Sequence, residues 1–347
     1  MLKEKSRYVV AILGATGAVG KETLEILEER KFPLASLRLF ASKRSAGEVM
    51  PCQGKEWKVE ELTKESSFAG VDLAFISATD AISCEYGQRL GAAGVVVIDD
   101  SGVFRMETGV PLVVPEVNAH ALTSMSRGIV SIPNCTTTPL VMALKPLQDA
   151  VGVKRVVVTT FQSVSGTGAA AMDELMTQTR DLMAFRDTKA EVYPYQIAFN
   201  LLPHIGSFND EGDCSEEVKI ARETRKILEA PGLRLTATTV RVPVLRCHSE
   251  AVNVELERPL KPNEARAALA AMPGVIVYDD PGRKLYPMPL DATGKDEVYV
   301  GRIREDESIT NGLNLWVVSD NLRKGAALNA VQIAEHLAQG RWLSGAV

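Results

Sequence analysis

The chain has 347 residues, of which 46% are hydrophobic and 24% are charged. This length and composition are typical of a soluble protein of about two domains. The formal net charge is −5, and acidic and basic residues are interspersed without a basic stripe. Nucleic-acid-binding proteins usually carry such a stripe, so the sequence predicts no nucleic-acid partner.

Hydropathy and cysteine usage indicate the cellular compartment of the protein. The sequence has no run of about 18 apolar residues, so we expect no membrane partner. The N-terminal segment MLKEKSRYVVAILG lacks the apolar core and cleavage site of a secretory signal. The five cysteines are odd in number and widely spaced, which favours a reducing compartment. We therefore expect a cytoplasmic protein with free thiols.

The first half of the chain alternates strand and helix patterns. Residues 8–13 form an apolar run, followed by a glycine-rich turn and a segment with helical spacing. Further apolar runs, at residues 37–41, 73–76 and 95–98, are separated by helical or loop segments. Alternating strands and helices predict an α/β fold with a doubly wound parallel sheet.

The second half has a different pattern. From about residue 153 the strands become longer and richer in Val and Thr. This change predicts a second, α+β domain with a mixed sheet and helices on one face. The final segment, residues 321–340, is amphipathic and predicts a helix whose apolar face packs on another element.

The first chemical motif is the glycine turn after the first strand. Such a turn lets backbone N–H groups at a helix N-terminus approach a phosphate closely. A glycine-rich turn can also simply pack a helix tightly on a strand. Its place in an alternating chain favours dinucleotide binding. The candidate cofactor contacts in this motif are Gly14, Ala15, Thr16, Gly17, Ala18 and Val19.

The segment after the second strand selects between NAD and NADP. NAD enzymes usually carry an acidic residue there, which binds the ribose 2′-hydroxyl. This chain has Ser42, Lys43, Arg44 and Ser45 instead. Cations and hydroxyls suit a 2′-phosphate, so we predict NADP as cofactor, with Ser42, Arg44 and Ser45 as contacts. The alternative interpretation is a solvated polar turn.

The second chemical motif is PNCTTTP, residues 133–139. Threonines favour helix N-caps and Pro139 suits a first helical turn, so Cys135 is expected at or just before a helix N-terminus. That position stabilises a thiolate and makes the cysteine a usable nucleophile. The motif therefore indicates a catalytic cysteine.

The other cysteines are interpreted differently. Cys52, Cys84 and Cys214 lack such a context and are predicted to be small buried hydrophobic residues. Cys247 lies beside His248, but no second pair has metal-ligand spacing, so no metal site is expected.

These motifs occur together with others that resemble one enzyme family. After the GATGAVG turn and PNCTT come FQSVSGTG (161–168), EEVK (216–219), VRVPVLRCHSEAV (240–252) and SDNLRKGAA (319–327). In these motifs the chain is similar, nearly end to end, to aspartate-β-semialdehyde dehydrogenases. Many members carry a small residue where this chain has Cys247.

The resemblance implies an organisation and a reaction. It implies a Rossmann-type NADP-binding domain of residues 1–133, completed by a C-terminal helix 321–347, and a catalytic and dimerisation domain of residues 134–320. It implies a homodimer, or a dimer of dimers. The reaction is the reversible, NADP-dependent reductive dephosphorylation of L-4-aspartyl phosphate to L-aspartate-4-semialdehyde, in lysine, threonine and methionine biosynthesis.

The resemblance also implies catalytic and cofactor-binding roles. Cys135 would carry the acyl group as a thioester, His248 would act as general acid/base, and Gln162 would orient the acyl group. Ser165, Gly166 and Asn321 are implied to contact the cofactor. Asn321 could equally be only a helix cap, and a lone histidine such as His248 is often structural.

Substrate contacts follow in the same way. Arg241 would bind the substrate carboxylate through its bidentate guanidinium. Glu216 would pair with the substrate ammonium, although the adjacent Glu217 leaves the register ambiguous, because acids are favourable at any helix start. Charged residues otherwise have solvated surface roles by default. The resemblance implies that Arg105 and Lys219 bind the phosphate. It implies that Asn134 binds either the phosphate or the carbonyl oxygen.

Three alternative functions remain open at this stage. N-acetyl-glutamyl-phosphate reductases use a similar turn, cysteine and acyl-phosphate chemistry, but their substrate has a blocked amine, which the acidic Glu216 does not suit. A non-catalytic NADP-binding regulator would not need Cys135, Gln162, Arg241 and His248 together. A glyceraldehyde-3-phosphate dehydrogenase would carry a different cofactor turn and catalytic segment.

Overall fold

A computed structural model describes residues 2–340. This part of the chain forms two compact units, one made of residues 2–134 and 326–340 and the other of residues 135–325. Residues 341–347, the end of the predicted C-terminal helix, lie outside the described residues.

Seven strands form one sheet in the first unit, in the order β3-β4-β2-β1-β5-β6-β7. All neighbouring strands pair in parallel except the edge pair β3 and β4. The predicted doubly wound parallel sheet is confirmed. The strands are β1 (Tyr8–Leu13), β2 (Leu34–Ala41), β3 (Val49–Cys52), β4 (Lys55–Glu61), β5 (Leu73–Ile76), β6 (Val96–Asp99) and β7 (Ile129–Ser131).

Successive side chains of a strand point to opposite faces of the sheet. Apolar side chains therefore lie on both faces, and helices cover both. Val10 and Ile12 of β1 belong to an apolar cluster with residues of α1 and α10, whereas Ala11 and Leu13 belong to a second cluster with Tyr86. Tyr86 lies in a π-helical turn, Ser83–Gly87. The helices of this unit are α1 (Ala18–Glu29), α2 (Asp80–Ile82), α3 (Gln88–Ala92), α4 (Pro115–Asn118) and α10 (Leu328–Gln339).

The last helix differs from its prediction in detail. A helix was expected from residue 321, but the chain first makes a π-helical turn, Arg323–Ala327, before α10 begins at Leu328. The α10 residues in the first apolar cluster, such as Val331 and Ile333, supply the apolar face that the sequence pattern predicted.

Six strands form the sheet of the second unit, in the order β11-β12-β13-β10-β8-β9. Pairs β8/β9 and β11/β12 are parallel and the others antiparallel, so the predicted mixed sheet is confirmed. Its strands are β8 (Val153–Gln162), β9 (Arg234–Arg241), β10 (His248–Leu256), β11 (Val275–Val277), β12 (Val298–Asp306) and β13 (Gly312–Ser319). Its helices are α5 (Thr137–Val151), α6 (Ala169–Met183), α7 (Ser215–Ile227), α8 (Pro262–Ala270) and α9 (Pro289–Ala292).

The two faces of the second sheet differ in burial. Along β10, Glu250, Val252 and Val254 are buried, whereas Ala251 and Asn253 between them are half-buried. Helix α5 is buried from Thr137 to Leu144 and packs on β8, β10 and β13. The central strands therefore bring the side chains of their buried face, including His248 and Glu250, beneath this helix.

Candidate active site

The glycine turn is shaped by close backbone contacts. Gly14 has a φ of +90°, and a Cβ there would clash with the carbonyl oxygen of Ser77. A Cβ on Gly20 would clash with the carbonyl oxygen of Gly14. Helix α1 begins at Ala18 directly after Gly17, so its first N–H groups point out of the turn. The arrangement fits a phosphate at a helix N-terminus.

The predicted 2′-phosphate segment follows β2 as a short 3₁₀ turn, Lys43–Ser45. The Thr16 hydroxyl donates a hydrogen bond to Ser45 Oγ over 3.3 Å, which joins this segment to the glycine turn. Ser42, Lys43 and Arg44 are exposed. Two cations beside the glycine turn suit a second anionic group of the same ligand.

Cys135 lies two residues before the first residue of α5 and is half-buried. Its Sγ is 3.3 Å from Nε2 of His248, a residue 113 positions away in sequence. The cysteine is therefore at the helix N-terminus, as predicted, and it has an imidazole partner. A thiol paired with an imidazole at a helix N-terminus is the arrangement that produces a nucleophilic sulfur.

The hydrogen bonds of His248 define its tautomer. The backbone N–H of Ser163 donates to Nδ1 over 3.0 Å, so Nδ1 is an acceptor and carries no proton. The proton of the neutral ring then sits on Nε2, which faces the sulfur of Cys135. The ring is 1% exposed, and burial together with the nearby Arg241 charge lowers the pKa of His248 to about 3. The site thus holds a neutral imidazole that donates toward Cys135.

Arg241 lies beside this pair at the end of β9. It is in register with Gln162 of β8, and its Nη1 donates to the carbonyl oxygen of Ser163 over 2.6 Å. A Cβ on Gly166 would lie 3.0 Å from Arg241 Nη1 and 3.2 Å from His248 Nε2. Gly166 is exposed, so its bare backbone leaves space next to both functional groups.

Asn321 connects several of these elements. Its Oδ1 accepts from the hydroxyls of Ser163 and Ser165, over 3.2 and 3.0 Å, and from the backbone N–H of Cys247 over 3.0 Å. Cys247 has a φ of +74°, in the left-handed region that favours glycine. The side chain of Asn321 thus links Cys247, the residue before His248, to Ser163 and Ser165.

The alternative interpretation of Asn321 as a helix cap is wrong. The residue before α10 is Ala327, and it is Asp320 Oδ1 that accepts from the backbone N–H groups of Leu322 and Arg323. Asp320 also binds Arg246, 2.7 Å away. Asp320, the residue before Asn321, therefore caps the start of this helical turn.

Gln162 is buried at the end of β8. Its Nε2 donates to the Thr160 hydroxyl over 3.2 Å. Thr160 precedes it by two residues and shares its face of the strand. This hydrogen bond orients the Gln162 amide.

The two adjacent glutamates of α7 have different environments. Glu217 accepts from the backbone N–H groups of Cys214 and Thr239, over 2.8 and 2.9 Å, so both of its oxygens stabilise local structure. Glu216 is buried, and its Oε2 is 3.7 Å from Nζ of Lys219. Lys219 is 41% exposed at its side chain. Glu217 is therefore occupied by local structure, whereas Glu216 forms an ion pair with Lys219.

The remaining predicted phosphate contacts belong to the first unit. Arg105 is 6% exposed, lies in the loop after β6, and donates from Nη2 to the carbonyl oxygen of Asp100 over 2.8 Å. Asn134 is buried and directly precedes Cys135 in the chain. Both side chains are held by their surroundings, which lowers the entropy lost when they bind a ligand.

The other cysteines are all free thiols, and one prediction about them is wrong. Cys52 and Cys214 are buried as expected, but Cys84 is exposed, because it lies on the outer side of the π-helical turn after α2. Among residues 2–340, no cluster of three or more His, Cys, Asp or Glu side chains could hold a metal ion. No helix in the same range is long and apolar enough to cross a membrane.

Two contacts at the site were not predicted from the sequence. A Cβ on Gly325 would lie 3.1 Å from both Cβ and the carbonyl oxygen of Cys135. Ser163 lies inside the FQSVSGTG motif, but it acts through its backbone N–H, which every residue except proline has. The KG pair at 324–325 within SDNLRKGAA was the only signal for Gly325, and it carries no information about its distant partner.

The Gly325 contact leads to a prediction. We expect Gly325→Ala to displace Cys135 and to lower kcat by about 10-fold to 100-fold with little change in KM, because small displacements of a nucleophile are costly. Gly232→Ala is the matched control, since a Cβ at Gly232 meets nothing within 4 Å. Steady-state kinetics of both variants test it, and equal activity would contradict tight packing against the nucleophile.

Fold and site together define a class of protein. A parallel sheet with a phosphate-binding glycine turn and a mixed-sheet unit with a Cys135–His248 pair are the parts of a thiol-dependent, dinucleotide-linked dehydrogenase.

Comparison with known proteins specifies the family. Residues 9–125 match the NAD binding domain model of semialdehyde dehydrogenases, and residues 144–324 match their dimerisation domain model. The chain is 51% identical over 332 residues to an aspartate-semialdehyde dehydrogenase of Aquifex aeolicus, covering 95% of this chain and 98% of that one. The chain belongs to the aspartate-semialdehyde dehydrogenase family, so the resemblance found in the motifs is confirmed.

Solved structures agree. Aspartate semialdehyde dehydrogenase II of Vibrio cholerae, in complex with ASA, aligns with a TM-score of 0.94 at 44% identity, over 96% of this chain and 99% of that one. The enzyme of Candida albicans with NADP aligns with a TM-score of 0.75 at 27% identity, over 97% and 100% of the two chains. The match therefore spans nearly the whole of each protein.

Proposed function

We propose that this protein catalyses the reversible, NADP-dependent reductive dephosphorylation of L-4-aspartyl phosphate to L-aspartate-4-semialdehyde through a thioester on Cys135. The observation that carries the proposal is the Cys135 Sγ to His248 Nε2 distance of 3.3 Å, with Arg241 and Gln162 at the ends of adjoining strands. The reaction feeds lysine, threonine and methionine biosynthesis. The relatives' names favour it over an N-acetyl-glutamyl-phosphate reductase or a non-catalytic regulator.

The first half-reaction forms the thioester. The Cys135 thiolate, stabilised by the helix N-terminus and by the Nε2–H of His248, attacks the acyl carbon of aspartyl phosphate. The tetrahedral oxyanion collapses, the C–O bond to phosphate breaks, and phosphate leaves with the bonding electron pair. Gln162 holds the acyl oxygen during this step.

The second half-reaction releases the aldehyde. NADPH, when bound, supplies a hydride to the thioester carbon. The resulting oxyanion is stabilised by hydrogen bonds from Nε2–H of His248, so it needs no proton before it collapses. The C–S bond then breaks, the semialdehyde leaves, and Cys135 is again a thiolate. The one proton consumed overall ends on the released phosphate.

This scheme refines the predicted general acid/base role of His248. A ring that accepts at Nδ1 and holds its proton on Nε2 is suited to donating hydrogen bonds to a thiolate and an oxyanion in turn. Its lowered pKa, about 3, keeps it uncharged near neutral pH. We therefore assign His248 mainly to hydrogen-bond donation.

Substrate binding uses anchors of opposite charge. Arg241 binds the α-carboxylate through its guanidinium, which is already held by the Ser163 carbonyl. Glu216 pairs with the substrate ammonium, because both oxygens of Glu217 already accept backbone N–H groups. The phosphate is bound by Lys219, Arg105 and Asn134.

Residues of the glycine turn and of the 42–45 segment hold NADP. Backbone N–H groups after Gly14 bind the pyrophosphate, and Ser42, Arg44 and Ser45 bind the 2′-phosphate. Ser165, Gly166 and Asn321 would contact the cofactor, with Asn321 near the nicotinamide, as the family resemblance implies. We assign residues 1–133 and 321–347 to the NADP-binding domain and residues 134–320 to the catalytic domain.

The assembly proposed is a homodimer, with a dimer of dimers as the larger alternative. Its support is the match of residues 144–324 to a dimerisation domain model. We propose the cytoplasm as location, in keeping with five free cysteines.

The purified protein tests the function directly. We expect reduction of NADP that depends on both phosphate and aspartate semialdehyde, and slower reduction of NAD. The semialdehyde of N-acetyl-glutamate should give at most a trace rate, because its amine is blocked and cannot pair with Glu216. Absorbance of NADPH follows the reaction. Equal rates with both aldehydes would contradict the contact between Glu216 and the substrate amine. Reduction of NADP without phosphate would contradict a mechanism in which phosphate releases the acyl group from the Cys135 thioester.

A further inference from the structure

We propose that Glu250 is a positioning residue for Gln162 and acts through the hydroxyl of Thr160. Glu250 lies on β10, two residues after His248 on the same buried face of the sheet. It is in register with Thr160 of β8 on one side and Val317 of β13 on the other. The proposal builds on the role proposed above for Gln162.

The side chain of Glu250 is buried in an unusual way. It is 1% exposed, and within residues 2–340 neither carboxyl oxygen has a hydrogen-bond partner. Burial raises the pKa of Glu250 well above its usual value of 4.5. Burial favours the protonated form, and a carboxyl offers at least one acceptor oxygen whether or not it carries a proton. An acid kept in such a place requires an explanation.

Thr160 provides the partner that Glu250 needs. The Thr160 hydroxyl is 0% exposed at the residue level and accepts a hydrogen bond from Gln162 Nε2 over 3.2 Å. Its own hydrogen still needs an acceptor. Directly opposed side chains of antiparallel strands have Cβ atoms about 4.5–5.5 Å apart. The carbonyl oxygen of the Glu250 carboxyl can therefore receive the Thr160 O–H after a small rotation, or through one water.

This arrangement determines which end of the Gln162 amide faces Thr160. While Glu250 accepts the Thr160 O–H, the Thr160 oxygen remains free to accept from Gln162 Nε2. Without Glu250, the amide oxygen of Gln162 is an acceptor within reach of that O–H, and using it would require the amide to reverse. A reversed amide would present the wrong groups to the acyl oxygen. Glu250 thus controls orientation without touching substrate.

Variants at both residues test the idea. Glu250→Gln keeps an acceptor oxygen and should retain kcat within about twofold, whereas Glu250→Leu and Thr160→Val should each lower kcat about 10-fold or more. KM for aspartate semialdehyde should change little. The double variant should be no slower than either single variant, because both changes break the same connection. Melting temperatures of all variants are measured in parallel, so that a loss of kcat can be separated from a loss of folding.

Ser319→Ala is the matched control. Ser319 is buried and opposite His248, and its hydroxyl also lacks a partner among the described residues, but it belongs to β13, which lies on the other side of β10 from Thr160 and Gln162. This variant should keep kcat within about twofold.

Several outcomes would overturn the proposal. Full kcat in Glu250→Leu or Thr160→Val would do so, and so would effects that multiply in the double variant. If Glu250→Leu fails to fold, Thr160→Val still decides the question. Wild-type turnover in the same assay separates this result from a failure of the proposed function. An unchanged kcat in Gln162→Ala would refute the role of Gln162 and with it the positioning role of Glu250.

Discussion

Replacing Cys135 by alanine is expected to lower the phosphate-dependent reduction of NADP with aspartate semialdehyde by at least about 10⁴-fold, as for other enzymes that lose a covalent nucleophile. The sulfur is the only group in the site suited to forming a thioester. Its position before α5 and 3.3 Å from His248 Nε2 depends on backbone packing, so alanine should leave the fold intact. The rate of NADPH formation and the melting temperature measure both effects.

Neither Cys52 nor Cys247 can replace Cys135. Burial raises the pKa of Cys52 to about 11 and that of Cys247 to about 12, so neither is a thiolate near neutral pH. Cys84 is exposed and provides the control. We expect Cys84→Ala to keep full activity and to be inactivated by iodoacetamide at the wild-type rate. Full dehydrogenase activity in Cys135→Ala would show that the covalent mechanism is wrong.

Much of the fold was predictable because the relevant information is local. Apolar runs at β1, β2, β5 and β6 mark strands that have buried side chains on both faces. Strand β4 was missed because its sequence, KEWKVEE, alternates with charges and forms no apolar run, and β3 was missed because it has only four residues, VMPC, one of them proline. Strand β7 was missed because it has only three residues.

The residues of the candidate site also fall into two groups, those that local sequence marks and those that it does not. Cys135 could be recognised because proline and threonine signal the start of α5 within a few residues. Ser163 and Gly325 could not, because their contacts depend on backbone atoms brought together over long distances in sequence. The hydrogen bond from the Ser163 backbone N–H to His248 Nδ1, for example, spans 85 residues. The resemblance to a family supplied the roles of His248 and Arg241, which no local pattern indicates.

His248 gives the second large effect. We expect His248→Ala to lower kcat by about 10²-fold to 10⁴-fold, because it removes the donor that faces the thiolate and the oxyanion. His248→Gln should retain clearly more activity than His248→Ala, because an amide N–H can replace part of the hydrogen bond from Nε2. An amide does not exchange protons near neutral pH, so a general acid/base role would leave both variants equally slow. Steady-state kcat of both variants distinguishes the two roles.

The pH dependence provides an independent test. The pKa of His248 is lowered to about 3, so the folded ring is uncharged above that pH, whereas the unfolded ring takes up a proton below its usual value of 6.5. Stability from this group is therefore present above pH 6.5 and is lost as the pH falls toward 3. The melting temperature should fall more steeply in wild type than in His248→Gln between about pH 7 and pH 5.

Alkylation of the thiol reports the same group without turnover. The rate of iodoacetamide reaction at Cys135, measured in Cys84→Ala protein, should follow only the ionisation of the thiol, with no histidine step between about pH 5 and pH 8. In His248→Gln the curve should move to higher pH, because a weaker donor stabilises the thiolate less. A step near pH 6.5 that disappears in His248→Gln would mean that the ring titrates normally, and the neutral Nε2–H assignment would then be wrong.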